Sequence, residues 1–514
     1  MANFKLTPLG RLILIVLIVG LVGFVGWKVV KSSGKSTDTP SINLSSLTKG
    51  KADASIFVDT YTGWAPIVWG NGGKQGSTDS EFYKRFGVRL DIKNADDFDA
   101  SRKAWQNDPN ALAFCTLDSY PVEASSSGGM TDARYFVIHN FSAGADAIVA
   151  TKDIKTVADL KGKTISCSEG TASHSLLLNT LEAGGLSGDD VTLIMTGYGN
   201  DVANAFKAGK VDAAVVFTPD DEACIKAVPG THVLVSTKEA NTLVTDGFLA
   251  HKEWLEKNPQ KAKAIIEALL WANSEITNNK SAYNEACKVF SEEFEVPLED
   301  VVSTGEKINF ATLQDNVNWF GLNTAYKGVD ANTLYTKMCY VYGDLKLAVS
   351  PLAWTKIGYP KYVEELTESN RLDNKQDANG TKERVFSTPT PKTEKAEAIS
   401  TKKVVIEFPI DGYTLNDRAK TIIDKEFLPI VKQFNNVYVR IEGNTDDTGS
   451  YDYNVALSKN RARAVADYLT RCGMDSNRFI VVGNGPSKAR KAGVKGSSQE
   501  YRTTDLELIS TQNE

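Results

Sequence analysis

For a chain of 514 residues, this one holds little histidine and little cysteine: four histidines (His139, His174, His232 and His251) and six cysteines (Cys115, Cys167, Cys224, Cys287, Cys339 and Cys472). The histidines lack the spacing of a metal site, and no two cysteines stand close enough for C-x-x-C metal or redox chemistry. No G-x-S-x-G or Walker-type string occurs, so neither a catalytic apparatus nor a cofactor is expected. Clustered positive charge is missing as well. The formal net charge is −6, and without a basic patch interleaved with aromatics, nucleic acid is not the expected partner. Cys472 stands far from the other five cysteines, and no disulfide pairing follows from the pattern. Several of the others lie among apolar neighbours, as in Phe114-Cys115 and Ile165-Ser166-Cys167, where a free cysteine is commonly a small core residue.

Long uncharged apolar runs are scarce, and the one that stands out covers residues 12–27, continued by Val29 and Val30 beyond Lys28. A membrane-spanning helix needs ~20 predominantly apolar residues. Residues 12–30 approach that length if Lys28 snorkels to the interface. A cleaved signal peptide would be followed by a small-residue site of the A-x-A kind. The exit instead reads GWKVVKSSGKS, with no cysteine nearby to take a lipid. The expectation is an uncleaved signal anchor within residues 1–30. Lys5 and Arg11 precede the run and Lys28, Lys31 and Lys35 follow it, so the charge bias does not orient it.

With 42% apolar and 24% charged residues, the rest is ordinarily globular, and its length allows roughly two to four domains. Residues 31–50 form a short polar linker. Residues 371–400 carry almost no apolar side chains and read as a flexible joint. Two segments remain as folded domains, 51–370 and 401–514.

The first of these alternates short β-branched strands with amphipathic helices, the pattern of an α/β domain. SIFVDT (55–60), VRLDI (88–92), ALAFCTL (111–117), residues 163–167, VTLIMTG (191–197), VDAAVVF (211–217) and HVLVS (232–236) read as strands. Residues 251–276 read as one or two amphipathic helices. In open α/β sheets, ligands sit beyond the carboxyl ends of the strands. Four such ends are polar here: Asp59-Thr60-Tyr61-Thr62-Gly63-Trp64, Asp118-Ser119-Tyr120-Pro121, Glu169-Gly170-Thr171 with Ser173-His174 following, and Thr218-Pro219-Asp220. Free amides at the helix start after Cys167, with the Thr171 and Ser173 hydroxyls, suit a carboxylate, phosphate or sulfonate. Tyr61 and Trp64 offer rings for stacking. A helix start disfavours positive charge, so His174 would act as neutral imidazole.

The segment resembles the periplasmic substrate-binding proteins of ABC importers, in the branch that includes the nitrate, sulfonate/taurine and thiamine-precursor binders. The likeness rests on Gly63-Trp64-Ala65-Pro66, residues 144–150, Asp159-Leu160-Lys161-Gly162-Lys163, the Gly170…Ser173-His174 loop and residues 211–219. It implies two α/β lobes that close around a ligand, with residues 146–240 as the second lobe and the flanking segments as the first. Trp64, Tyr120, Asp146, Thr171, Ser173, His174 and Asp220 become the ligand-binding candidates, for a small anionic or zwitterionic solute. Phe217-Thr218 stands where relatives commonly have Trp-Glu, so no ligand identity carries over.

In the C-terminal segment, residues 441–485 read as strand, loop, helix and strand. Val439 and Ile441 alternate with polar neighbours. Leu457, Ala462, Val465, Ala466 and Leu469 recur at helical spacing, and Cys472-Gly473 closes the helix. Asp446 in the loop can accept from ammonium groups or amides, while Arg461 in the helix presents a planar fork to a carboxylate. The stretch resembles the OmpA-like C-terminal domain, which binds peptidoglycan non-covalently. Residues 444–449 stand in place of its HTDNTG-type loop. Asn454, Leu457-Ser458 and Arg461-Ala462 fall on its N…LS…RA pattern, and Phe408, Asp411 and Leu415 on its opening signature. The resemblance implies that Asp446 and Arg461 clamp the diaminopimelate of the stem peptide, with Asn454 and Arg502 completing the peptidoglycan-binding set. Tyr501 and Thr503 depart from the family's NRR-T-D/V-E segment.

A peptidoglycan-binding domain has nothing to bind in the cytoplasm. The expected placement is therefore a single pass through a bacterial inner membrane, with the bulk of the chain in the periplasm. The expected function is a membrane-anchored solute-binding or sensing protein fixed to the wall through peptidoglycan stem peptides, with an inner-membrane permease or envelope complex as a further partner. The alternative is a passive envelope tether or scaffold of stator-like order, its middle domain a docking platform. Residues 12–27 hold no ionisable side chain to carry a proton or sodium ion.

Overall fold

The computed structural model describes residues 52–126, 128–197, 200–367, 384–409 and 411–511. The chain opens on three parallel strands, β1 (Ala54–Val58), β2 (Leu90–Asn94) and β3 (Ala111–Thr116), joined through helices. β4 (Ala133–Ser142) follows, and the chain then crosses into a second sheet of β5 (Asp146–Ala150), β6 (Thr164–Ser168), β7 (Thr192–Thr196), β8 (Ala213–Phe217) and β9 (His232–Ser236), in the order β7-β6-β8-β5-β9. It returns to the first sheet through β10 (Thr245–His251) and β11 (Ile308–Phe310), giving the order β11-β4-β10-β3-β1-β2. All strands of the second sheet fall within 146–236, inside the lobe expected at 146–240.

Central strands covered on both faces read as continuous apolar runs. Accordingly, every residue of β3 but the last is buried, and β5 is buried throughout. Among the strands with no sequence signal of their own are β4 and β10. Both run antiparallel in the middle of the first sheet, and both carry polar residues in buried positions, among them His139, Asn140, Thr245 and Asp246. The two crossings between sheets are tied at Thr237. Its Oγ1 accepts from Gly144 N–H (2.9 Å) and pairs with Ser142 Oγ (2.7 Å). Gly144 holds φ of +126° there, a conformation that side-chain-bearing residues avoid.

The C-terminal domain is a four-stranded sheet of β12 (Ser400–Val404), β13 (Tyr438–Asn444), β14 (Phe479–Gly485) and β15 (Thr504–Ile509), in the order β12-β15-β13-β14. Helix Tyr451–Arg471 packs across β13 and β14. It lies unusually close: a Cβ on Gly443 would run into the Ser458 carbonyl, and one on Gly483 would stand 2.6 Å from the Val455 carbonyl. This domain docks on the second lobe through Val157 N–H to Ile399 O (2.9 Å), Ser510 Oγ to Glu239 Oε1 (2.9 Å) and Asn436 Nδ2 to Lys238 O (2.7 Å).

Two expectations change. The flexible joint expected over 371–400 is packed where it is described, from residue 384 onward. Phe386 is buried edge-on against Tyr438 with centroids 5.1 Å apart, and Arg440 Nη1 donates to the Glu394 and Ala396 carbonyls. Averaging composition over the stretch hides that single aromatic anchor. The second correction concerns the membrane. No helix among the described residues is long and apolar enough to cross one. The longest of them, Pro259–Asn278 and Tyr451–Arg471, each carry a polar face that lipid would not accept. The transmembrane anchor expected at residues 12–30 lies outside the described residues. The fold is thus a two-lobed α/β unit followed by an α/β C-terminal domain, and neither the signal anchor nor the single-pass inner-membrane placement is retained.

Candidate functional site

The four polar strand ends converge. Between the two sheets lies a cavity of about 780 Å³, lined from the first by Asp59–Thr62, Trp64, Thr116 and Ser119 and from the second by Asp146, Ser168, Thr171–Ser173 and Phe217–Pro219. Val296, Asp300 and Thr304 close one side. Helix Ala172–Ala183 starts at this wall, and no side chain caps it, because Thr171 Oγ1 donates back to the Ser168 carbonyl (2.8 Å).

The electrostatics are one-sided. Asp59 is raised to about 6 by burial, against the hydrogen bond it accepts from Trp64 Nε1 (2.7 Å) and with Asp96 adding to the rise. Burial likewise lifts Asp146 to about 6, although Ser142 donates to it, and Asp118 to about 7. Asp246 is pushed well above the carboxylate range, first by burial and then by the charges of Asp59, Asp146 and Asp118, while Thr116 Oγ1 donates to it at 2.8 Å. The basic groups in the neighbourhood are already engaged. Arg102, whose charge reaches Asp59, is held by Glu123 (Nε to Oε2, 2.6 Å). Lys307 bridges Thr218, Asp221 and Glu222.

Of the expected ligand residues, Trp64, Asp146, Thr171 and Ser173 line the cavity. Trp64 does so as core, fully buried and stacked 5.5 Å from His139 at 15°. His139 donates from Nε2 to Gly63 O (3.1 Å), and burial lowers it to about 3, so its ring is neutral. Tyr120, His174 and Asp220 are not among the lining residues. Tyr120 is fully buried and donates to Met130 O (3.0 Å). His174 is buried behind the loop, its Nδ1 accepting from Gly170 N–H (3.2 Å), and burial lowers it to about 4. Asp59, Thr116 and Asp246 were not among the named candidates. Asp59 was visible as a strand end, but Asp246 lies in a strand without a sequence signal.

In the C-terminal domain the four expected residues fall close together, with pairings the sequence did not suggest. Asp446, 5% exposed, is bound by Arg502 (Nη2 to Oδ2, 2.6 Å) and by the Ser498 amide (3.1 Å). Burial raises it, yet those partners hold it below the usual carboxylate range overall. Arg461 spends its guanidinium on the carbonyls of Gly412 (3.0 Å) and Pro409 (3.3 Å), over the Phe408 ring, while the charges of Arg502 and Asp446 both reach it. Asn454 donates to Thr448 O (2.8 Å) and braces the loop.

The NMT1/THI5 like family matches residues 77–282, and the OmpA family matches residues 407–503. A binding protein of Brucella abortus (strain 2308) is 26% identical over 259 residues, covering 49% of this chain and 79% of its own length. An Escherichia coli K12 protein named for binding aliphatic sulfonates is 32% identical over 166 residues, 31% of this chain and 48% of that one. The peptidoglycan-associated lipoprotein of Rhizobium meliloti (strain 1021) is 32% identical over 83 residues, 16% of this chain and 47% of that one. Among solved structures, the periplasmic aliphatic sulphonate binding protein from Escherichia coli matches with a TM-score of 0.48 at 19% identity, over 60% of this chain and 97% of that one. Two family models thus divide the chain, one over the two-lobed domain and one over the C-terminal domain. More particularly, the chain joins an NMT1/THI5-like periplasmic binding-protein domain to an OmpA-like domain, and the Brucella and Escherichia coli relatives matched over the first are named for binding.

Proposed function

We propose that this protein is a solute-binding protein of the bacterial cell envelope, which captures a small molecule between its two lobes and holds peptidoglycan through its C-terminal domain. The observation that carries the reading is the cavity of about 780 Å³, within the ~300–1,000 Å³ of small-molecule sites. It sits where four strand ends of two sheets meet. Trp64, Asp146, Thr171 and Ser173 belong to its wall, with Asp59 and Asp246 added. In such a fold the ligand binds the closed arrangement of the lobes better and shifts an equilibrium already present.

The names of relatives support both halves: binding proteins for the lobes, peptidoglycan-associated lipoproteins for the C-terminal domain. There, Asp446, Arg461 and Arg502 offer one anionic and two cationic groups to a zwitterionic stem peptide. Because Arg502 already neutralises Asp446, a ligand ammonium would have to replace it, which frees Arg502 for the ligand carboxylate. The test is twofold. The full chain should gain thermal stability with at least one member of a pool of small nitrogen, sulfur and phosphorus compounds, since ligand at 100 times its Kd adds about 2.7 kcal/mol. It should also sediment with insoluble peptidoglycan. A chain that does neither is a scaffold.

A further inference from the structure

The cleft walls carry acid and no base. Asp59, Asp96, Glu123, Asp146, Asp246 and Asp300 line it, and no described lysine, arginine or histidine does. Two of these carboxylates are built in. Asp146 and Asp246 are 7% and 5% exposed, and they approach from different lobes, at the start of β5 and within β10. Each is held by a single hydroxyl, Ser142 for Asp146 and Thr116 for Asp246. Neither has a cationic partner among the described residues, and a buried charge left unpaired is strongly disfavoured. Such a site is poorly arranged for a nitrate or a sulfonate, which would meet like charge in a space of low dielectric.

We propose that the interlobe cleft binds an organic cation, an amine or amidine, with its charged end between Asp146 and Asp246. This rests on the solute-binding reading above and names the ligand class for the same site. The body of the ligand lies against Tyr61, Phe98, Phe114 and Phe217, all of which line the cavity. Phe217 is 44% exposed, a large ring left open on the wall, and aromatic faces attract ammonium and guanidinium groups. A metal ion fits less well. No group of three or more histidine, cysteine, aspartate or glutamate side chains among the described residues converges as a metal site requires, and the volume suits a molecule rather than an ion. A cation shared by the two lobes also supplies a reason for closure, since it favours the ionised form of two carboxyls that burial otherwise holds towards protonation.

The experiment uses the full chain, with binding followed by calorimetry and by thermal shift at neutral pH. The cationic probes are choline, putrescine, agmatine and benzylamine. The anionic probes are nitrate, methanesulfonate and benzenesulfonate. At least one amine should raise the melting temperature by several degrees, no anion should, and Asp146→Asn or Asp246→Asn should each weaken that amine about tenfold or more. Asparagine keeps the shape and hydrogen-bonding groups of a protonated acid. A site that used neutral carboxyls as donors to an anion would therefore keep its affinity in these variants, and that result overturns the inference. If a variant does not fold, wild type still decides, because the inference requires that an amine stabilise it and that no anion do so. Stabilisation by an anion and by no amine removes the cation while leaving a solute-binding cleft. No response to either set removes both.

Discussion

The interlobe cleft and the loop face of the C-terminal domain bury carboxylates at similar depth and treat them in opposite ways. In the C-terminal domain each has a base from the same chain: Asp446 has Arg502, Asp447 has Arg490, Glu442 and Asp505 share Lys488, and Glu507 has Arg440. In the cleft, Asp59, Asp146 and Asp246 have no ion pair among the described residues, and burial lifts all three. The first arrangement stabilises the ligand-free domain, so a ligand must exchange for a partner already present. The second costs stability that a ligand of opposite charge would restore. Sites that bind by supplying a missing charge are commonly less stable when empty, and the two halves of this chain place both strategies side by side.

The largest effect should come from removing a base on the compensated side. Lys488→Met strands Asp505, whose side chain is fully buried, beside Glu442. Breaking such a pair costs about 3 kcal/mol, the lower end for buried pairs because Lys488 is itself partly exposed. Chemical denaturation followed by far-UV circular dichroism measures it, and an unchanged midpoint would erase the contrast between the halves.

On the uncompensated side the sign reverses. The folded value of Asp146, about 6, lies above its ordinary 3.8, so its contribution is fully present below about pH 4 and is lost as pH rises through 6. Asp146→Asn removes that loss. The variant should match wild type near pH 4 and exceed it by up to about 3 kcal/mol above pH 7. All eight tryptophans precede residue 371, which makes their fluorescence a reporter of this half. A variant less stable than wild type at high pH would mean that Asp146 is structurally compensated after all.

Asp446 should behave in the opposite sense and with a smaller effect. Asp446→Ala is expected to lower co-sedimentation with peptidoglycan about tenfold, or ~1.4 kcal/mol. Arg461→Lys should weaken it less, since an ammonium keeps the charge but not the fork. Equal sedimentation of Asp446→Ala and wild type would make this loop structural. The smallest effect separates wall from core: Tyr120→Phe removes the hydrogen bond to Met130 O and should cost about 1 kcal/mol while leaving any ligand response unchanged.

How far the site was legible can be followed residue by residue. Asp59, Thr171, Ser173 and Thr218 stood at the ends of strands whose apolar runs were plain, and the rule that ligands gather beyond such ends placed them at the cleft. Tyr120 and His174 followed the same rule and failed it. Position along the chain tells that a residue follows a strand, but the direction of its side chain depends on what packs behind it, here Met130 for Tyr120 and the Gly170 turn for His174. Asp246 gave no sign, since an aspartate in TDGFLAH looks like a solvated edge until β10 is seen between β3 and β4.

The sequence by itself determined the order of modules, the alternation of strand and helix, the 146–240 lobe and the loop-and-helix frame around Asp446, because each is written in local periodicity and short motifs. Only the tertiary structure decided charge. Whether a carboxylate is paired depends on Coulomb terms between residues distant in the chain and on how much water is excluded around them. Asp446 was expected to share a ligand's two charges with Arg461, and Arg502, distant in the chain, is what pairs with it here, while Asp146 and Asp246, a hundred positions apart in the chain, come to face one cavity with no base among its lining residues.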